Sequence, residues 1–428
     1  MKKFTLYILI VLLYPVVLNA QNSTTPEKVS LQYCIQQAIK NFPVQKQLQL
    51  NQSKYKLEQE NTKKNYLPTL DLNGMASYQS DVTKVPLPPT LGFSIPEISK
   101  DWYKVNLDLE QFIWDGGMTK NQKVLQTADY KIADQQVKVK TFTLKKQVDI
   151  LYFNILFSQT SLDALHVLIK DLDARIKDAE TAMQNGTLLP ADVDALKVNK
   201  KLAQQQIIEK SEEQKGLIGS LNQLTGLNIQ SAKQLIVPKA NITSYTFVNN
   251  RPEYKLLELQ KNKISALEKM STVKRMPKIK LFGQAGYGRP GYDMLDDDFK
   301  TYYKVGVSLH WNIFDWNRVK NEKQILTIQS DIIKTEQENF NQSLRAELKK
   351  QLASIQKVEK LIQTDKDILQ LQKNVVAAAN NKLKNGTITA TTYLIELNKE
   401  IKAQLTMEAH KIQLEFAKYQ YLTTLGNL

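Results

Sequence analysis

Side chains able to do covalent or acid–base chemistry are few and scattered in this chain of 428 residues. There is one cysteine, Cys34, and three histidines, His166, His310 and His410, far apart in sequence. The sequence holds no nucleophile–histidine–acid set, no zinc-ligand spacing and no phosphate-cradling glycine loop. A lone cysteine also excludes a disulfide framework within one chain and argues against a multi-cysteine metal site. Neither an enzyme nor a cofactor is therefore expected. What the chain carries instead is a pattern suited to solvation work at a boundary between water and hydrocarbon.

That pattern lies in two segments, WYKVNLDLEQFIW (Trp102–Trp114) and YYKVGVSLHWNIF (Tyr302–Phe314). In the first, Val105, Leu107 and Leu109 alternate with Lys104, Asn106, Asp108 and Glu110. In the second, Val305, Val307, Leu309, Trp311 and Ile313 alternate with polar or small residues. A period of two gives an extended strand one apolar and one polar face.

The elements that hold these segments follow in order. Val29–Tyr66 is helical in pattern, with an interruption expected at Asn41-Phe42-Pro43, because proline lacks an amide donor and clashes inside a helix. A first strand is expected over Thr69–Ser80 and an irregular Pro-rich loop (Pro86, Pro88, Pro89) over Asp81–Asp101. After the second strand, Asp115 caps a helical pattern from about Gly117 to Gln184. Asn185-Gly186-Thr187 breaks it, and Pro190 opens a helix to about Leu224. A connector, residues 227–250, leads to a second pass: helix Pro252–Met276, a hairpin over 278–314 with its first strand at Lys278–Gly288, a helix from Asp315 to Lys384, the turn Asn385-Gly386-Thr387, and a last helix to about Leu425.

Tyr103 and Tyr303, Asp115 and Asp315, Gly186 and Gly386, and Gly226 and Gly426 all stand 200 residues apart, whereas Pro68 and Pro277 stand 209 apart. Matches at one spacing, all at structural punctuation, indicate a tandem duplication, residues 21–226 and 251–428, whose first hairpin (69–114) has the longer loop. At 1.5 Å per residue the long helix spans roughly 100 Å and each shorter one roughly 54 Å. Two short helices end to end thus match one long one, as in a long antiparallel shaft.

The chain is 42% hydrophobic and 24% charged, with net charge +15. No internal apolar run approaches the ~20 residues of a membrane-spanning helix. Lysines are interspersed with glutamates along the helical patterns, which reads as solvated helix faces and not as a nucleic-acid footprint. Residues 1–20 read as a secretory signal: Lys2 and Lys3, an apolar stretch from Phe4 to Leu18, and a cut after Ala20. An exported chain makes the four alternating segments candidates for barrel strands, each about the 9–11 residues a tilted strand needs. Aromatics near both ends fit an interfacial girdle: Tyr66 and Trp114 at one rim, Tyr78, Trp102 and Tyr103 at the other; in the repeat, Phe314 and Trp316 oppose Tyr287, Tyr292, Tyr302 and Tyr303. A half-buried soluble sheet would alternate equally well. If the strands lie in lipid, four cannot close and open edges are not viable there, so the chain must oligomerise.

These residues resemble the TolC-like outer membrane efflux proteins. Val29–Tyr78 is similar to the opening helix of that family with its proline–strand junction, and Asn249–Gly288 to its second copy. The pairs WDGG and FDWN, and the two Asn-Gly-Thr turns, fall at the strand exits and periplasmic turns of the family. The resemblance covers essentially the whole mature chain. It implies a mixed α/β membrane protein: a homotrimer with a 12-stranded β-barrel in the outer membrane lipid above a long antiparallel α-helical coiled-coil tunnel, Val105, Leu107, Leu109, Val305, Val307 and Leu309 facing lipid. It further implies a passive exit duct for drugs, metals or proteins, docked to a periplasmic adaptor and an inner-membrane pump of RND, ABC or MFS type, with Asn185–Thr187 and Asn385–Thr387 flanking the docking grooves.

In that family carboxylates ring the pore near the two turns. Asp192 matches a gate-linked Asp, while the second-repeat positions fall on Thr392 and Ile395, with Glu396 one residue on, so the usual acidic ring is incomplete. Asp192 and Asp194 offer negative charge from the other helix pair; the alternative reading is carboxylates favoured by the N-terminal dipole of the helix opened by Pro190. A non-channel coiled-coil protein of the envelope is the rival reading; it shares the signal and helices but has no use for girdled strands.

Overall fold

The computed structural model describes residues 26–83, 98–242 and 247–427. The signal segment and the prolines 86, 88 and 89 lie outside them. The elements are α1 (Leu31–Asn41), α2 (Lys46–Lys63), β1 (Thr69–Tyr78), β2 (Asp101–Trp114), α3 (Met118–Gln184), α4 (Pro190–Thr225), α5 (Pro252–Val273), β3 (Lys278–Arg289), β4 (Lys300–His310), α6 (Arg318–Lys384) and α7 (Ala390–Leu425). The order repeats, and the break expected at Pro43 is a 3₁₀ turn, Pro43–Gln45, between α1 and α2. Among the described residues no helix is long and apolar enough to cross a membrane. The chain forms two compact units, each taking pieces of both repeats.

One unit comprises Phe42–Gln147, Lys239–Lys366 and Gln413–Leu428 and carries the sheet. All four strands pair antiparallel in the order β1-β2-β3-β4. Directly opposed residues in such a pair share a face, and the register exploits this. Leu72 pairs with Leu107, Leu107 with Ala285, Ala285 with Tyr303; Leu281 pairs with Val307, and Ile279 with Leu309. One continuous apolar face therefore runs across the sheet, and it is open: Leu72 is 71% exposed, Val305 71% and Leu309 66%. The helical part of this unit packs Leu344, Leu348 and Ile355 of α6 against Ala417, Tyr421 and Leu425 of α7, spacings that keep each set on one helical stripe.

Two expectations about the strands need correcting. First, β4 ends at His310, not Phe314. Lys278 pairs with His310 and is the first residue of β3, after Pro277, so Trp311–Phe314 have no strand opposite them within the chain. The equivalent stretch of β2 is supported: Gln111 pairs with Leu281 and, past a bulge, Trp114 with Ile279. Second, Trp102 and Tyr302 do not share the apolar face with Tyr103 and Tyr303. Trp102 has the parity of Lys104, and Tyr302 pairs with Gly286, where an added Cβ would meet its ring at 2.5 Å. Glycine there gives the tyrosine its seat.

The other unit comprises Met1–Asn41 (described from residue 26), Val148–Pro238 and Asp367–Ile412. Its hub is Tyr152 of α3, fully buried. The Tyr152 hydroxyl lies 2.8 Å from the Val29 carbonyl and 2.6 Å from that of Ile236, and accepts the Ile236 amide at 2.9 Å. A parallel bridge joins Val29 to Leu235. Cys34 of α1 is buried here too, and burial pushes its thiol up to about 12, an inert packing residue.

Candidate functional site: sheet faces, strand exits and helix-turn tips

The polar face of the sheet is as continuous as the apolar one. Asp108 of β2 is its node, accepting from Asn73 of β1 at 2.6 Å, Asn106 at 2.5 Å and Gln284 of β3 at 2.6 Å. Tyr292 donates to Gln284 at 2.6 Å, and Lys280 reaches Glu110 at 2.9 Å. Aromatic rings on this face carry cations: the Lys104 ammonium sits 5.0 Å from the Trp102 ring and that of Lys280 4.7 Å from Phe112. Such a surface is water-compatible, whereas its reverse is not. Alternation gave the parity of each residue; it gave no hint that Asp108 would gather amides from three strands' worth of sequence, because that depends on register.

At the exit from β2, Asp115 is 5% exposed. It accepts the Tyr66 hydroxyl at 2.8 Å and the amides of Gly117 at 2.9 Å and Thr119 at 2.6 Å. Burial alone would raise its pKa, but the hydrogen bonds from Thr119, Tyr66 and Gly117 outweigh it and hold the carboxyl below its ordinary value. A depressed folded-state pKa contributes stability that is fully present above the unfolded value of about 3.9 and is lost as pH falls through the folded value. Asp115→Asn should therefore cost about 1–2 kcal/mol near neutrality, as for a lost helix cap, and flatten the acid limb of a stability–pH curve measured on the detergent-solubilised protein. The second exit is less enclosed. Gly116 and Gly117 adopt φ of 70° and 86°, while Trp316 and Asn317 stand there with φ of 53° and 63°. Left-handed backbone is uncommon for a bulky residue, and Trp316 is 84% exposed.

The two turns are geometrically the same. Gly186 and Gly386 both have φ of 70°. The Thr187 amide bonds Ala182 O at 2.9 Å and the Gly186 amide bonds Met183 O at 3.0 Å; Thr387 and Gly386 repeat this on Lys382 and Leu383 at 2.9 and 3.0 Å. This is the paired C-terminal cap that glycine permits. Asn185, Thr187, Asn385 and Thr387 are exposed beside it.

Beyond the turns the repeats diverge in how they start a helix. Asp192 accepts the Leu189 amide at 3.2 Å, reaching back from the third residue of α4. In the second repeat Thr389 accepts the Thr392 amide at 3.1 Å, and the hydroxyls of Thr389 and Thr392 lie 2.9 Å apart. Asp192 and Thr392 thus occupy matching third positions, but Asp192 reaches back as a cap itself, whereas Thr392 is capped by Thr389; both remain exposed. Asp194 is exposed and adds to the pull of Glu180, 2.8 Å from Lys197, that raises the Lys197 pKa. Glu396 is half-buried and held below its ordinary pKa, first by Lys399 at 2.7 Å, then by Gln372, with Arg175 contributing. Leu189, where an oxygen-bearing cap would be expected, is the reason Asp192 is needed there; the sequence signal was its absence.

Across known proteins, the sequence pattern of the outer membrane efflux protein family matches residues 34–227 and 245–428. No curated protein matches the sequence. Solved structures similar to this fold include the outer membrane protein VceC of Vibrio cholerae (14% identity, TM-score 0.64, 92% of this chain and 96% of that one). The CmeC outer membrane channel of Campylobacter jejuni (14%, 0.64, 95% and 89%) is another. A third is the open state of the MtrE outer membrane channel of Neisseria gonorrhoeae (17%, 0.63, 92% and 88%). At these identities the likeness concerns the fold. With the family pattern spanning both repeats and nearly the whole chain, this protein belongs to the outer membrane efflux protein family, whose members are non-enzymatic channels of the outer membrane.

Proposed function

We propose that three copies of this chain form the passive exit duct of a tripartite efflux or type I secretion system. The carrying observation is the open four-stranded sheet with one unbroken apolar face and one hydrogen-bonded polar face. Lipid accepts such a sheet only when its edges are paired, and three four-stranded sheets make an even-numbered barrel of twelve. In this reading Val105, Leu107, Leu109, Val305, Val307 and Leu309 meet lipid and the Asp108 network lines the lumen. The helices continue as a periplasmic tunnel, and a pump of RND, ABC or MFS type supplies the energy. A coiled-coil structural role leaves the apolar face without a purpose.

Two measurements test the proposal. Purified protein should migrate as a heat-modifiable oligomer and conduct ions in planar bilayers; a monomer that conducts nothing refutes the duct. The turns are the proposed adaptor-docking tips, so a photo- or disulfide crosslinker at Thr187 or Thr387 should capture the cognate periplasmic adaptor, whereas uniform failure with folded trimer removes that role. Asp192, Asp194, Thr392 and Glu396 would then sit near the closed aperture. There the second repeat contributes a hydroxyl, not a carboxylate, at the Thr392 position.

A further inference from the structure

Part of the net charge of +15 gathers where helices meet strands. The four helix ends that adjoin the strands read TKKNY (Thr62–Tyr66), MTKNQK (Met118–Lys123), VKRMP (Val273–Pro277) and RVKNEK (Arg318–Lys323). They hold nine basic side chains. These stretches and the strand-exit residues before them hold three acids, and all three are occupied. Asp115 is buried and Asp315 accepts the Val319 amide at 3.1 Å. Glu322 lies between Lys274 at 2.5 Å and Ser271 at 2.7 Å. Lys63, Lys64, Lys120, Arg318 and Lys320 are exposed.

The opposite end of the sheet has the reverse balance. Among the described residues, the hairpin ends carry Asp81, Asp101 and the four aspartates of GYDMLDDDFK against Lys100, Arg289 and Lys300. Arg289 is engaged by Asp101 at 2.5 Å, and Lys300 by Asp296. The apolar face is thus bounded by an acidic rim at the hairpins and a basic one at the helices. Alongside the basic rim stand Trp114, Phe314 and Trp316, 42%, 66% and 84% exposed.

We infer that the basic residues at the helix–strand junctions form a collar that binds anionic phospholipid headgroups of the periplasmic leaflet. The inference rests on the membrane reading above. The exposed groups Lys63, Lys64 and Lys120 lie within six residues of Thr69 or Trp114, and Arg318 and Lys320 within six of Phe314, roughly 9 Å along a helix, inside the screening distance of a charged lipid surface. Aromatic rings seat at the boundary of hydrocarbon and headgroup. Lysine and arginine one turn further on reach the phosphates, their stems lying along the apolar zone. The acids that would cancel them serve as caps or hold a neighbour. The collar fixes the depth at which the sheet sits and makes the two rims unequal, so the assembled protein distinguishes the two leaflets.

The test compares trimers reconstituted into vesicles of phosphatidylethanolamine alone with vesicles in which about one lipid in five is phosphatidylglycerol. Phosphatidylglycerol should raise the thermal midpoint of the native trimer by about 5 °C or more, and high salt should abolish the gain. The combined variant Lys63→Gln, Lys64→Gln, Lys120→Gln, Lys320→Gln should lose most of it. Lys349→Gln, Lys350→Gln, Lys357→Gln, Lys360→Gln, roughly 45 Å further along α6, should keep it. Inorganic phosphate in place of the lipid should give no gain. Three results overturn the collar while leaving the duct intact: insertion with no phosphatidylglycerol dependence, equal loss in both quadruple variants, or a first variant destabilised equally in both vesicle types. Failure of the native chain to insert in either vesicle instead removes the membrane reading itself.

Discussion

With Cys34 replaced by Ser, the pair Ala76→Cys and Val307→Cys is expected to lock three copies into a reductant-sensitive trimer, with close to complete crosslinking. In the proposed trimer the two strands come from different copies, and the duplication supplies their register. Residues of β2 map onto β4 at a spacing of 200, and residues of β1 onto β3 at 209: Pro68 with Pro277, Leu72 with Leu281, Gly74 with Gly283, Ala76 with Ala285, Tyr78 with Tyr287. Within the chain, β2 meets β3 with Leu107 opposite Ala285 and Leu109 opposite Gly283. Transferring that contact to β4 and the next copy's β1 sets Val307 opposite Ala76 and Leu309 opposite Gly74. Each derived pair lies on the apolar face, an agreement the subtraction did not impose.

Directly opposed strand residues have Cα atoms about 4.5–5.5 Å apart, inside the range a disulfide spans, about 4.4–6.8 Å. Diagonal neighbours, at about 7–8 Å, lie outside it. Ala76→Cys with Leu309→Cys should accordingly run as monomer on a denaturing gel without reductant. Crosslinking of that pair in preference to the first would show a register two residues away; no crosslink in either would mean that the edges do not meet. The same transfer bears on the early end of β4. Gln111 pairs with Leu281, so in the proposed trimer Trp311 is expected to meet Leu72 of the next copy, and Trp311–Phe314 to become strand on assembly.

The second large effect separates two adjacent residues. Leu107→Arg is expected to abolish insertion, because a cation on the lipid side near the midplane costs about 2–4 kcal/mol and the trimer incurs it three times. Asn106→Arg, one residue earlier, should assemble normally. Asn106 faces the polar side, pairs with Asn73 and Gly286, and lies 2.5 Å from Asp108, which would accept the guanidinium. Heat-modifiable oligomer recovered in the membrane fraction reads both variants. Assembly of Leu107→Arg at native levels would place that face against protein or water.

Sequence alone determined the element order, both turns, the duplication and the parity of each strand residue. Those properties are local: glycine's left-handed conformation, the missing amide of proline and the two-residue period act within a few residues of where they are written. The exits were also legible, since Asp115 and Asp315 each precede a long helical stretch. Tertiary structure decided what depends on neighbours distant in the chain. It ended β4 at His310 because Pro277 leaves nothing opposite Trp311. It seated the Tyr302 ring over Gly286, which the register places opposite it. It gathered Asn73, Asn106 and Gln284 on Asp108, and it assigned Asp192 to cap a helix that begins at a leucine. Pairing register and reach across the fold are sums over many weak contacts, and no short stretch of residues contains them.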